Sequence, residues 1–240
     1  MSLKKYDSLP EFMKNPEVKE YYDILAKRRS QLILKRIFDF IGGAIGTILL
    51  LPIMGILAVI IKCESKGPAL FKQVRVTRYG KKFNILKFRT MVVNAEKLGT
   101  QVTSKNDPRV TKVGRFLRKY RLDELPQIIN ILKGELSFVG TRPEVPKFVN
   151  KYTDEMIATL LLPAGVTSEA SIEFKDEEKI LDNSSNVDND YIYKVLPLKM
   201  KYNLNYIKQF TVLYDFKVML RTVGAVLGLG EENKFNIADK

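Results

Sequence analysis

Residues 37–61, IFDFIGGAIGTILLLPIMGILAVII, form an apolar run in which Asp39 is the single charge. The run is long enough to cross a bilayer as a helix. It starts too far into the chain for a cleavable signal peptide and lacks the small-residue cleavage site. Pro52 interrupts it, and a proline inside a helix removes a hydrogen bond and clashes with the preceding turn, which predicts a kink or break there. Lys27, Arg28, Arg29, Lys35 and Arg36 precede the run; Lys62, Lys66, Lys72, Arg75 and Arg78 follow it. A spanning helix carries its Lys/Arg excess on one side. Basic flanks at both ends favour a re-entrant segment over residues 35–62 that dips into the membrane and returns to the cytoplasmic face. A single kinked span and a buried core helix are the alternatives. Asp39 lies one turn from Lys35 and Arg36, where helical spacing would let them pair and anchor the entry point. The alternative is an interfacial charge that reaches to water.

The rest of the chain is compatible with one domain of real core, since 45% of its 240 residues are hydrophobic. Its formal net charge of +13 favours polyanions: nucleic acid, anionic lipid or phosphorylated substrates. There is no histidine and a single cysteine, Cys63. That excludes His-based triads, His-ligated metals, Cys-based zinc clusters and an intrachain disulfide. A metal here would sit on oxygen ligands, which points to magnesium, manganese or calcium.

The expected fold is α+β and mostly helical. Residues 1–34 read as an amphipathic arm that could lie on the membrane surface, and residues 63–240 as a cytosolic domain. LFKQVRV and KFNILKFRTM predict two strands of a small hairpin around TRYGKK, with Gly80 in the turn. A short helix is expected at 92–98 and a loop in TQVTSKNDPR. TKVGRFLRKYR predicts a helix with Val113, Phe116, Leu117 and Tyr120 on one face. Arg115 and Arg118 form a cationic stripe towards Asp123. DELPQIINILKG predicts a second helix, with Pro126 tolerated in its first turn and Gly134 as its stop. SFVGTRPE predicts a tight turn before a helix over about 144–161, LLPAGVTSEASIEF a loop, NSSNVDND a polar linker, and 191–227 one or two helices.

The adjacent carboxylates Asp123 and Glu124 admit two readings. In one, Asp123 is a helix N-cap, worth roughly 1 kcal/mol, and Glu124 complements the helix dipole. In the other, a helix start with arginines nearby binds phosphate and keeps Asp123 ionised with a lowered pKa. Such a carboxylate can attack phosphorus and form an acyl phosphate. Two adjacent anions also suit a divalent cation, as magnesium binds through one or two carboxylates and substrate phosphates. One of the pair could attack while the other binds metal or handles a proton. Lys87 and Arg89 alternate in the second strand and so share a face. Arg142 follows Gly140 in a turn whose amides could cradle an anion. Singly, each of these cations also fits a solvated surface.

These motifs resemble the bacterial sugar transferase family, the monotopic polyprenyl-phosphate phosphoglycosyl transferases. The matching stretches are KRIFD (35–39), FKQVRV (71–76), KFRTM (87–91), DPRVTKVGRFLRKYRLDELPQIINILKGELSFVGTRPE (107–144), PAGVTSEA (163–170) and YDFKVMLRTV (214–223). The resemblance implies a re-entrant helix broken at Pro52, on the cytoplasmic face of the bacterial inner membrane. It implies a ping-pong reaction in which Asp123 attacks the β-phosphate of a UDP-sugar, releases UMP and keeps the sugar phosphate. A polyprenyl (undecaprenyl) phosphate then takes it, giving the polyprenyl-diphosphate-sugar that starts capsule, O-antigen or glycoprotein glycans. Glu124 is implied in magnesium binding (manganese as an alternative) or proton handling, and Asp123 with it as a metal ligand. Arg118, Arg142, Lys87 and Arg89 are implied at the phosphates. The family's usual proline before the arginine is Thr141 here, and Ser168 replaces a glycine. The acidic and polar stretch 171–195 is expected near the sugar pocket. Membrane lipid is an expected partner, and a homodimer is an allowed assembly.

Two other classes compete. A non-catalytic scaffold of the same fold would recruit other glycan enzymes, against which the intact Asp123, Glu124 and Arg142 argue. A nucleic-acid binder rests on charge alone, and the cations are spread along a chain with a membrane segment.

Overall fold

The structure, a computed structural model, describes residues 3–95, 107–174 and 187–227. Short 3-10 turns lead into α1 (Pro16–Ala26), which the Asn15 side chain caps by accepting from Val18 N–H at 2.7 Å. The apolar run lies in α2 (Arg29–Glu64), which is helical from end to end, so the break expected at Pro52 is replaced by a proline held within a continuous helix. The hairpin follows: β1 (Leu70–Val76) pairs antiparallel with β2 (Lys82–Phe88), Phe71 opposite Lys87. Then come α3 (Lys112–Lys119), a 3-10 turn over Leu122–Glu124, α4 (Gln127–Lys133) and β3 (Leu136–Val139). Short helices α5 (Pro146–Val149) and α6 (Asp154–Ile157) and the 3-10 turn Ala158–Leu161 precede β4 (Ala164–Thr167) and α7 (Glu169–Glu173). The chain closes with α8 (Val187–Asp190), a π-helical stretch Tyr191–Val195, α9 (Leu196–Gln209) and α10 (Val212–Val226).

The buried residues of α2 are Leu32, Lys35, Asp39, Gly43, Met54, Leu57 and Ile61. Their gaps of three and four residues, with one of eleven or about three turns, make one stripe along the helix. The rest of its surface, including Ile45, Ile48, Leu49, Leu51, Ile56 and Val59, is exposed apolar side chain. A soluble protein rarely leaves so large an apolar surface open. One face of α2 therefore packs on protein and the other faces suit lipid. The glycines of GGAIG permit the contact: a Cβ on Gly42 would stand 2.9 Å from the Phe138 ring.

The three residues expected to anchor the helix are tied into the domain. Lys35 Nζ donates to Val139 O at 2.8 Å and to Asp215 Oδ2 at 2.6 Å. Arg36 donates to the last carbonyls of α4, Ile131 O at 2.9 Å and Leu132 O at 3.0 Å. Asp39 Oδ1 accepts from Ser137 Oγ at 2.9 Å and Phe138 N–H at 3.1 Å. The expected pairing of Asp39 with its helical neighbours is thus replaced by bonds to β3, and Asp39 is buried rather than reaching to water. A buried carboxylate needs fixed donors, and β3 supplies two.

Two further expectations are corrected, those for the β3 and β4 stretches and for 144–161, and the N-terminal arm divides. In the arm, Met13, Val18, Tyr21 and Leu25 are buried in a cluster with Leu161, Ile207 and Phe210, whereas Phe12, Ile33 and Leu34 are exposed. The turn and loop stretches SFV and AGVT are β3 and β4, paired in parallel with Leu136 opposite Ala164. Gly140 and Gly165 let the two backbones close up, since a Cβ on Gly165 would stand 2.1 Å from Gly140 N. The single helix expected over 144–161 is divided into α5, α6 and a 3-10 turn. Parts of the expected 92–98 helix, the 100–109 loop and the 183–190 linker lie outside the described residues.

Candidate active site

The site forms where the end of β2, the α3–α4 junction and the turn after β3 meet. Thr111 caps α3 by accepting from Gly114 N–H at 2.9 Å. The predicted apolar face of α3 divides: Leu117 is buried, whereas Phe116 and Tyr120 are exposed with ring centroids 4.9 Å apart. At Arg121 the backbone turns left-handed, with φ 56°. That turn ends α3 and directs the next two side chains inward. Asp123 therefore sits in a 3-10 turn, not at the N-cap of α4, which is Pro126. Gly134, at φ 80°, stops α4 as expected.

Glu124 is the centre of an ionic clamp. Its Oε1 accepts from Lys87 Nζ at 2.9 Å and from Arg142 Nη2 at 3.0 Å. Burial alone would push this carboxyl's pKa up, but Arg142 and Lys87 outweigh it and hold Glu124 well below the usual carboxylate range. Burial pushes the Lys87 ammonium down, against the pull of Glu124. Asp123 is 8% exposed, and its Oδ1 is buried without a hydrogen-bond partner among the described residues. Burial, and then the charge of Glu124, pushes its pKa above the ordinary value, against Lys87, Arg118 and Arg121. The expectation of a lowered pKa is corrected: the nearby cations are committed to Glu124 or stand further off, and desolvation wins.

The remaining predicted residues separate. Arg118 Nε donates to Thr90 Oγ1 at 2.9 Å, which sets it beside the end of β2. Arg89 lies one residue past β2 and is turned away from Glu124. It donates to Lys66 O at 2.9 Å, Ser65 O at 2.7 Å and Ser65 Oγ at 2.9 Å, closing the C-terminal end of α2. Pro52 lies in the apolar run, apart from this chemistry.

Sequence reasoning missed the support beneath Arg142. Arg75 on β1 donates to Pro143 O at 3.1 Å and stands 3.9 Å from Glu144 Oε2. Glu144 also accepts from the Tyr191 hydroxyl, to which Lys199 Nζ donates at 3.1 Å. The signals were FKQVRV and RPE, which carry Arg75 and Glu144 next to residues already singled out.

Among the described residues no three His, Cys, Asp or Glu side chains converge on a metal position. The chain by itself thus offers two carboxylates, not a cage. That donor set fits magnesium, which keeps waters and takes phosphate oxygens as further ligands. The unpartnered Asp123 Oδ1 has a lone pair to offer.

A family model, described as bacterial sugar transferase, matches residues 30–228. A Bacillus subtilis (strain 168) relative, provisionally named an undecaprenyl-phosphate N-acetylgalactosaminyl 1-phosphate transferase, is 41% identical over 56% of this chain and 75% of its own length. The UDP-N-acetylgalactosamine-undecaprenyl-phosphate N-acetylgalactosaminephosphotransferase of Aeromonas hydrophila is 35% identical over 81% of this chain. The UDP-glucose:undecaprenyl-phosphate glucose-1-phosphate transferase of Escherichia coli (strain K12) is 35% identical over 80% of it. The chain spans 44% and 39% of these two proteins, respectively. Both the carboxylate pair with its cations and the apolar helix against which the site is built lie within the matched residues, and the chain belongs to the bacterial sugar transferase family.

Proposed function

We propose that this chain transfers a sugar 1-phosphate from a UDP-sugar to a polyprenyl phosphate at the cytoplasmic face of a bacterial membrane. The observation that carries the reading is the division of labour between the two carboxylates. Glu124 is neutralised by Lys87 and Arg142, whereas Asp123 keeps an unpartnered oxygen. A carboxylate that is buried and under-paired is a stronger nucleophile than one bound in an ion pair.

In the first half-reaction an Asp123 oxygen attacks the β-phosphorus. The P–O bond to the leaving phosphate breaks, UMP departs with the electron pair, and the sugar phosphate stays on Asp123. Lys87, Arg118 and Arg121 act on Asp123 and Arg142 on its neighbour Glu124, and fixed donors of this kind stabilise a phosphoryl transition state. In the second half-reaction an oxygen of the polyprenyl phosphate attacks the same phosphorus and frees the Asp123 carboxylate. The acceptor is already anionic, so no histidine base is required. Asp123 and Glu124 would hold magnesium, which when bound offsets the negative charge of the diphosphate.

The membrane part of the reading is a re-entrant α2. Both its ends are packed on one domain, Leu32 and Lys35 near the start and Leu57 and Ile61 near the finish. Its middle packs on the domain as well, Gly43 against Leu132 and Gly46 against Ile128. This reading requires α2 to bend near Pro52 on entering lipid, because a helix unbroken over 36 residues holds its ends about 54 Å apart.

The test is the nucleotide released from UDP-glucose, UDP-galactose and UDP-N-acetylgalactosamine with undecaprenyl phosphate and magnesium in detergent. UMP from one donor, abolished in Asp123→Asn, is the expected result. Release of UDP would mean ordinary glycosyl transfer and would overturn the role of Asp123. No release from any donor would favour a scaffold.

A further inference from the structure

The Asp123 oxygen is not the only unpaired polar atom in this stretch. Gln127, the first residue of α4, is 2% exposed, and its Nε2 has no hydrogen-bond partner among the described residues. It lies four residues after Asp123, across the step from the 3-10 turn into α4. Buried polar atoms are nearly always paired, so each orphan calls for an explanation. Here there are two in five residues, and they are of opposite sense: an acceptor on Asp123 and a donor on Gln127. They do not bond to each other.

A group that joins Asp123 and also presents an oxygen to Gln127 would satisfy both. A phosphoryl group bonded to the Asp123 carboxylate is such a group, since it keeps non-bridging oxygens beside the bond it makes. We propose that Gln127 is a further catalytic residue, whose side-chain N–H donates to a non-bridging phosphoryl oxygen while that phosphorus is bonded to Asp123. The inference rests on the transferase reading above and adds a residue to it.

The chemistry favours an amide at this position. A cation so close to Asp123 would pair with it and draw off its nucleophilicity. A neutral donor leaves the carboxylate free in the resting protein and acts only when phosphoryl oxygens arrive. Its hydrogen bond is then made in the transition state and the intermediate but not in the free protein, which is the condition for raising kcat rather than merely binding substrate.

Gln127→Met keeps length and volume and deletes the donor. It is compared with wild type in the full chain in detergent, with undecaprenyl phosphate and the UDP-sugar that the wild type turns over. The expected result is a kcat reduced about 10²–10³-fold, the usual effect of one such donor, with KM nearly unchanged. The melting temperature of the ligand-free protein should not fall, because no hydrogen bond is lost. Gln127→Leu, read the same way, covers a folding failure specific to the methionine variant. An unchanged kcat overturns the proposal. So does a fall of melting temperature and rate together, which would assign Gln127 to the fold or to a bound water, and so does failure of both variants to fold. Asp123→Asn in the same assay separates the two levels. If it still releases UMP, the transferase mechanism itself fails; if it does not and Gln127→Met is fully active, only the role of Gln127 falls.

Discussion

Lys35 Nζ and Asp215 Oδ2 lie 2.6 Å apart with both side chains buried, joining the start of α2 to α10 across 180 residues of sequence. Tyr206 donates to the other Asp215 oxygen at 2.6 Å, so the carboxylate has a donor on each oxygen. Burial pushes the Asp215 pKa up, and Lys35 opposes it. Removing one member of a buried pair strands the other, at about 3–5 kcal/mol. Lys35→Met should destabilise the protein by that order in denaturant titration, and Lys35→Met with Asp215→Leu should recover most of the loss. Equal stability of the single and double variants would show that the pair is not coupled.

Arg142→Lys keeps a charge at Glu124 but loses the planar guanidinium that can hold Glu124 and a phosphate together. One hydrogen bond to a charged group is worth about 1.5–3 kcal/mol. We expect kcat/KM for the UDP-sugar to fall by roughly tenfold to a hundredfold, with little change in melting temperature. A wild-type kcat/KM would remove Arg142 from the substrate.

Arg89 should behave in the opposite way. Its donors go to Ser65 and Lys66 at the end of α2, so Arg89→Met should lower the melting temperature clearly, and KM for the UDP-sugar should hold. A variant of normal stability with a raised KM would put Arg89 at the substrate after all.

The pH dependence of the two carboxylates runs in opposite directions. Asp123 has a raised folded pKa. Between the ordinary value of 3.8 and that folded value the native state holds the extra proton, so stability falls as pH rises through the window and stays lower above it. Asp123→Asn should therefore melt higher than wild type at neutral pH. Glu124 has a depressed pKa, and its stabilisation is present above 4.5 and lost as pH falls through the folded value. Glu124→Gln should melt lower at neutral pH. In pre-steady-state assays the UMP burst should fade on acidification earlier than an ordinary aspartate would require. A burst that persists to the usual aspartate range would contradict a raised pKa at Asp123.

Cys63 is exposed near the end of α2 and is the chain's single cysteine, so it reports topology as it stands. Ser30, exposed near the start of α2, can be made its counterpart as Ser30→Cys with Cys63→Ser. A membrane-impermeant maleimide should label both positions from the cytoplasmic side of vesicles and neither from the other side. Labelling of the two from opposite sides would establish a span.

The features legible in the sequence are those with a short-range signature. The apolar run, the hairpin with Phe71 opposite Lys87, and the Gly134 stop all depend on neighbouring residues. The pairing of β3 with β4 does not. Each is four residues long, and their partners lie some 28 positions apart, as Leu136 and Ala164 show. Strands that short leave no alternation to read. The site divides in the same way. LDELPQ draws attention to Asp123 and Glu124, but only the tertiary structure reveals that Lys87 and Arg142 converge on Glu124 and that Arg89 does not. The sign of the Asp123 shift was misread because local sequence displays the neighbouring cations and conceals the burial.

The stripe that binds α2 to the domain has a consequence for biogenesis. Residues 29–64 leave the ribosome well before the segments that receive them. Asp39 must wait for Ser137, 98 residues later, and Lys35 for Asp215, 180 residues later. Until then a lysine and an aspartate sit unpaired at the mouth of an apolar helix, a state that lipid headgroups and water can tolerate and a hydrocarbon interior cannot. On the membrane reading proposed above, the catalytic part would fold against the bilayer surface, with the helix already delivered. Met54, Leu57 and Ile61 also form a wall of the core that holds Phe88 and Leu117. A fragment made without residues 29–64 would have an open core, so solubility cannot be gained by deleting the helix.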